Sequence, residues 1–229
     1  MILKSLATAA SICAVWTLFA QDQTATQQQT PQSRKTIEVT IEQKQGSEWK
    51  PVSSQKVFRA NDVVRFRLQS QIPGYLYVLN HESDGVKTWL YPRTETAASN
   101  YVDIDRPYTI PDSKGSFTVG GKPGFDVTYW MISPTSLAVD TGINGRRGEK
   151  PSTLLPRCDG QLRARGDCED KQAGPHAITD PAQVPPAFSA QGGLISRDLT
   201  FSSATSSVQI STPEALSGSI IYALWIAHQ

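Results

Sequence analysis

An excess of either charge is missing from this sequence: 22 lysines and arginines face 21 aspartates and glutamates. Tight binding of a nucleic acid rests on many cationic contacts that release counterions, so a balanced chain argues against that class of partner. Histidine and cysteine are scarce too, with three of each. The sequence has no His-Glu-x-x-His helix, no Gly-x-Ser-x-Gly elbow and no Gly-x-x-x-x-Gly-Lys-Ser/Thr loop, which removes the common zinc, serine-nucleophile and phosphate-cradling motifs. The cysteines avoid Cys-x-x-Cys spacing, so a redox-active dithiol is not expected. The longest uncharged apolar stretch, Leu6 to Phe19, falls short of the roughly 20 residues that cross a bilayer, and no permanent membrane anchor is expected.

What that stretch does resemble is a secretory signal. Lys4 supplies a positive start, Leu6 to Phe19 the apolar centre, and Ala20 a small residue at which to cut, giving residues 1–20 as the signal peptide. Cys13 follows the bulky Ile12, which does not suit lipoprotein processing. Export to the periplasm or the exterior is therefore the expectation. Removal of the signal takes Lys4 and leaves acidic and basic residues equal in number.

Cysteine accounting agrees with export. Once Cys13 has gone, Cys158 and Cys168 remain as a pair, and an even remainder in an oxidising compartment predicts a disulfide. A loop of this size contributes about 2 to 3 kcal/mol by constraining the unfolded chain. A zinc site would need further ligands, and His176 has no partner at regular spacing, so no metal or other cofactor is expected.

Residues 21–35 are rich in Gln and Thr with little to bury, which predicts a disordered tether. Period-two patterning then begins: Ile37, Val39 and Ile41 alternate with polar residues, and Val64, Phe66 and Leu68 alternate with Arg65 and Arg67. Tyr75 to Leu79 is apolar on both faces and reads as a central strand. Asp84-Gly85 predicts a hairpin into Lys87 to Tyr91, and the three strands from Val64 to Tyr91 read as a meander. Further strands are predicted at Tyr108 to Ile110, Ser116 to Val119, Phe125 to Ile132, Asp198 to Ser202, Val208 to Ser211 and Ser219 to Ala227. Residues 135–197, rich in Gly, Pro and mixed charge, read as a loop-rich insertion. The expected architecture is mainly β: a single antiparallel immunoglobulin-like sandwich over residues 36–229.

The order of motifs between Phe58 and Pro134 carries a resemblance. An Asn61-Asp62 turn, a Val/Phe strand, Gly74-Tyr75-Leu76-Tyr77-Val78-Leu79, Asp84-Gly85 and Leu90-Tyr91-Pro92 are followed by Asn100-Tyr101-Val102, Ile110-Pro111 and Pro123-Gly124. This resembles the bacterial family catalogued as domain of unknown function 4384, and covers about a third of the chain. The resemblance implies a small β domain of exported or multidomain proteins, and it brings no catalytic residues.

Few side chains stand out as candidate chemistry. His81, Glu82 and Asp84 cluster, but around a turn whose tip needs polar residues in any case; His176 and His228 are more isolated. Arg165-Gly166-Asp167 lies between the paired cysteines, as an adhesion tripeptide would, and its charged residues suit an exposed turn equally well. The basic run Arg146, Arg147, Lys150, Arg157, Arg163 and Arg165 could meet an anionic polymer, against the reading of a solvated loop. Among many strand aromatics, most of which should be core, Tyr75, Tyr77 and Trp89 are the candidates for an exposed binding face. No catalytic residue can be assigned, and the chain does not read as an enzyme. It reads as an extracytoplasmic interaction module that binds an envelope or extracellular protein, with a glycan, or less favourably a hydrolase substrate, as the alternative.

Overall fold

A computed structural model describes residues 34–93, 99–112, 114–139, 146–147, 154–158, 168–189, 199–203, 206–213 and 218–229. The signal peptide and nearly all of the tether lie outside these residues, as does Arg165-Gly166-Asp167. The chain is mainly β, in two sheets. The seven-stranded sheet runs β13 (Thr200–Ser203), β14 (Val208–Pro213), β1 (Arg34–Gln45), β4 (Val63–Ser70), β8 (Tyr108–Ile110), with β2 (Glu48–Val52) beside β1 and β9 (Phe117–Thr118) beside β4. The eight-stranded sheet runs β11 (Arg146–Arg147), β6 (Val86–Tyr91), β5 (Gly74–His81), β10 (Gly124–Ser133), β15 (Ile220–His228), β12 (Gly174–His176), with β3 (Val57–Phe58) beside β15 and β7 (Tyr101–Val102) beside β5. Every pairing within them is antiparallel except the short β3–β15 contact. No helix among the described residues is long and apolar enough to cross a membrane.

Alternation decides which side chains meet. Ile37, Val39 and Ile41 of β1 and Val64, Phe66 and Leu68 of β4 enter one buried cluster with Leu76 and Val78 of β5, Trp130 and Ile132 of β10, and Ile220, Tyr222, Leu224 and Ile226 of β15. The two sheets thus share a core, as period-two strands with one dry face require. Tyr222 lies opposite Trp130 in the register and their rings are near parallel, 6.2 Å apart. Its hydroxyl is buried without a partner among the described residues, and burial holds its pKa far above the ordinary tyrosine value. Tyr222→Phe is therefore expected to stabilise the protein by about 1 kcal/mol, because it removes a desolvated group and leaves almost no cavity. Urea unfolding checks this, and a loss of stability would mean that the hydroxyl is satisfied.

Two sequence expectations are corrected by the structure. β1 starts at Arg34, because β14 is long enough to pair with Arg34 and Lys35, so the final two residues of the expected tether are strand. The strands from Val64 to Tyr91 do not form a meander: β4 belongs to one sheet, while β5 and β6 belong to the other. The Pro73-Gly74 turn carries the chain from one sheet to the other, and of these three strands only those joined by the Asp84-Gly85 hairpin are neighbours. Its backbone closes through Glu82 N–H to Val86 O and Gly85 N–H to Glu82 O, both 2.8 Å, with Gly85 at φ 92° where a side chain would be strained.

The described part of 135–197, expected as a loop-rich insertion, packs onto the eight-stranded sheet. β12 extends the eight-stranded sheet beside β15. Ile178, Val184 and Phe188, the last on the short helix α1 (Pro186–Ser189), join Leu137 and Val139 over the sheet's outer face. They cover Tyr77, Leu79, Trp89, Val127, Met131 and Ile221. A central strand apolar on both faces needs a cover on both, and this segment supplies the second. Cys158 and Cys168 form the expected disulfide, with Cα atoms 4.9 Å apart. Cys168 packs against Val57, Phe125, Ala173 and Ala227, and its carbonyl accepts from Val57 N–H. The bridge therefore ties its loop to the sheet edge at β3.

Candidate ligand-binding cleft

A cavity of about 390 Å³ opens between the two sheets. That volume falls in the range of roughly 300 to 1,000 Å³ common to small-ligand sites. One wall comes from β4 and the β9 segment: Val64, Phe66, Phe117 and Val119 present carbon, with Gly120 and Gly121 at the lip. The opposite wall comes from the end of the β5–β6 hairpin and from β10, where Asn80, Glu82, Thr88, Asp126 and Thr128 line the space. Leu90 and Ile226 contribute further carbon, and Arg93 stands at the exposed rim.

This polar wall follows from strand parity. Leu76 and Val78 of β5 face the shared core, so Asn80, two residues further on, faces the same interior where the sheets part. On β10, Trp130 is core, Thr128 is buried beneath it and Asp126 reaches the opening. Thr128 Oγ1 donates to Leu224 O at 2.9 Å and accepts Trp130 Nε1–H at 2.9 Å, which anchors the cleft to the core.

Asp126 is engaged by two groups. Its Oδ1 accepts Ser83 N–H at 2.7 Å and lies 3.1 Å from His228 Nε2. Asp126 pairs with Ile226 and Gly124 with His228, so Asp126 and His228 are diagonal neighbours on one face. Gly124 is needed here because a Cβ would lie 2.7 Å from Ser83 Cβ. Ser83 Oγ donates to Lys122 O at 2.6 Å. Asn80 Oδ1 is buried and has no partner among the described residues.

Glu82 sits beside this group in an unfavourable setting. Burial raises its pKa first, the charges of Asp126 and Asp84 raise it further, and His228 and a hydrogen bond from Thr88 offset part of the rise. The folded state therefore holds a proton that the unfolded state has released in the window from the ordinary glutamate pKa up to the raised one. Stability contributed by the neutral carboxyl is full below that window and is lost as pH rises through it. Glu82→Gln is thus expected to raise the melting temperature at about pH 7 and to leave it unchanged at about pH 3, where the wild-type group is neutral as well. Calorimetry at the two pH values tests the sign, and a loss at neutral pH would refute it.

The sequence candidates are placed as follows. Tyr77 and Trp89 are buried, with Trp89 packed edge to face on Phe188 at 5.4 Å and Tyr77 Oη accepting Leu137 N–H at 2.7 Å. They are not exposed stacking rings, because the 168–189 segment covers them. Tyr75 is half-buried against the exposed Tyr101 at 5.1 Å. His81 is largely buried at the end of β5. His176 stacks near Trp225, ring centroids 4.6 Å apart, with Nε2 2.8 Å from Gln172 O. Glu82 is a cleft residue as well as a turn residue. Asp126 was missed, and with it the pairing of Asp126 with His228, since the strand register alone unites them. Among the described residues no group of three or more His, Cys, Asp or Glu side chains is arranged to hold a metal ion. Of the basic run, Arg157 is exposed and its N–H donates to Asp170; the side chains of Arg146, Arg147, Lys150, Arg163 and Arg165 lie outside what is described.

The cleft also coincides with the part of the chain that matches a family model. Residues 57–136 match the family model Domain of unknown function (DUF4384). This confirms the resemblance read from Phe58 to Pro134. Every cleft-lining residue except Ile226 falls inside the matched segment. The segment does not close a sheet by itself: β1 beside β4 and β15 beside β10 lie outside it. Comparison with curated proteins and with solved structures finds no match.

Proposed function

We propose that this chain is an exported, non-catalytic binding module, an immunoglobulin-like sandwich whose cleft receives part of an envelope or extracellular protein. The observation that carries this reading is the cleft itself: a built opening between the sheets in which a buried acceptor, Asn80 Oδ1, has no donor among the described residues. A non-catalytic role is favoured because the nearby chemistry is engaged elsewhere. The Ser83 hydroxyl is donated to Lys122 O, and His228 Nε2 is directed at Asp126, so this serine is not activated by this imidazole. Export is supported by the Cys158–Cys168 disulfide together with the signal-like residues 1–20. Glycan binding is the second reading, favoured by Phe117 opposite a row of oxygen acceptors.

A photo-crosslinking amino acid placed at the exposed Ser116 of the cleft wall tests the proposal, with the exposed Gln69 of β4 as control. In cells, one reproducible protein adduct is expected from Ser116 and none from Gln69. Equal adducts at both positions, or none at either, would remove the reading.

A further inference from the structure

We propose that the cleft binds a lysine side chain of the partner, an ammonium group carried on an apolar stem. The inference rests on the cleft being the binding surface and adds the chemistry that it selects. Its two walls differ in kind, with Val64, Phe66 and Phe117 offering carbon and Asn80, Glu82 and Asp126 offering oxygen. A ligand that satisfies both must be apolar along one side and rich in donors at one end. A lysine side chain has that form, since its methylenes lie along apolar surface while its head stays polar.

The donor count favours ammonium over hydroxyl. Ammonium brings three donors and no acceptor, whereas a hydroxyl brings one donor together with lone pairs that would face more oxygen. Asn80 Oδ1 is a buried acceptor with no donor among the described residues, so a ligand N–H there recovers free energy lost on folding. Charge points the same way. The carboxylates of Asp126 and Asp84 both repel a charge on Glu82, and the compensating imidazole of His228 is directed at Asp126. Arg93 stands at the rim of the same cleft. A cation delivered between Glu82 and Asp126 therefore relieves the repulsion between their carboxylates, and in a partly desolvated site that interaction is stronger than in water.

The test is a titration of the isotope-labelled full chain, followed by amide NMR shifts, with three probes: Nα-acetyl-lysine methylamide, the uncharged Nα-acetyl-norleucine methylamide, and N-acetylglucosamine. The lysine probe is expected to give saturable shifts at Asn80, Thr88 and Gly120. Its affinity should fall about tenfold in Glu82→Gln, and the norleucine probe should bind about tenfold more weakly, the size expected for losing one charge-assisted hydrogen bond. Equal responses to the two amino-acid probes, or none to the lysine probe, overturn the proposal. Shifts confined to the sugar overturn it in favour of a glycan. Glu82→Gln is expected to fold at least as well as the wild type, so weaker binding by it is not a folding defect. If Ser116 still crosslinks a protein while the lysine probe has no effect, the ammonium assignment falls and the binding surface stands; if both fail, both fall.

Discussion

Trp130→Ala is expected to cost about 3 to 5 kcal/mol, the range for removing a fully buried large aromatic, out of a total stability of roughly 5 to 15 kcal/mol for a domain. Trp130 belongs to β10, which is paired on both sides, with β5 and β15, and it has no exposed surface. Its ring meets Phe66 of the other sheet edge to face at 5.2 Å and stacks on Tyr222, its cross-strand partner. Truncation would open a void between the sheets that none of these neighbours can fill without moving a paired strand. It would also remove the donor to Thr128 Oγ1, at the floor of the cleft. Trp225 is the informative comparison. It is half-buried on the opposite face of β15, beside Phe125 and His176, and its truncation should cost less than half as much. Urea unfolding followed by far-ultraviolet circular dichroism, which does not depend on the removed indole, measures both. Equal costs would contradict the assignment of Trp130 to the shared core.

Local features of this fold were legible in the sequence because they depend on near neighbours. Ile37, Val39 and Ile41 alternate over a dry face whatever lies opposite, and Asp84-Gly85 makes a hairpin from its own backbone preferences. Ile220, Tyr222, Leu224 and Ile226 likewise face one way, into the shared core. What remained hidden depends on partners far along the chain. That β4 and β5 belong to different sheets follows from which strands lie beside them, β1 for one and β10 for the other. Tyr77 and Trp89 looked available because the segment that covers them seemed too rich in Gly and Pro to pack. Its few apolar residues, Ile178, Val184 and Phe188, are enough to bury them. The cleft was illegible for the same reason, since Asp126 and His228 are 102 positions apart and meet only through the β10–β15 register. Glu82 and His228 were visible singly, but a hairpin tip gave Glu82 a sufficient explanation and nothing near His228 in the chain pointed to its partner.

Arg65→Ala is expected to cost about 3 kcal/mol and Arg67→Ala less than about 1 kcal/mol, although both guanidinium groups reach the same carboxylate. Glu42 faces the outer side of the seven-stranded sheet, yet its side chain is only 5% exposed. Arg65 lies directly opposite on β4, donates from Nε to Glu42 Oε2 at 2.6 Å, and is itself 20% exposed. Trp49 of the edge strand β2 lies against it, with the guanidinium carbon 4.3 Å from the ring centroid. Arg67 approaches the other oxygen at 3.6 Å and is 53% exposed, so solvent screens most of what it contributes. Removing Arg65 leaves a buried charge without its close partner, whereas removing Arg67 leaves the short pair intact. The penalty for Arg65→Ala is therefore mostly the cost of stranding Glu42, and that has a consequence. Glu42→Gln combined with Arg65→Met should recover much of the loss, because neither new side chain carries a charge and both retain most of the original volume. Denaturation of the two single variants and the double variant closes the cycle. If the double variant is as unstable as the sum of the singles, burial of the carboxylate is not the source of the cost, and the stacking of Arg65 on Trp49 must account for it instead.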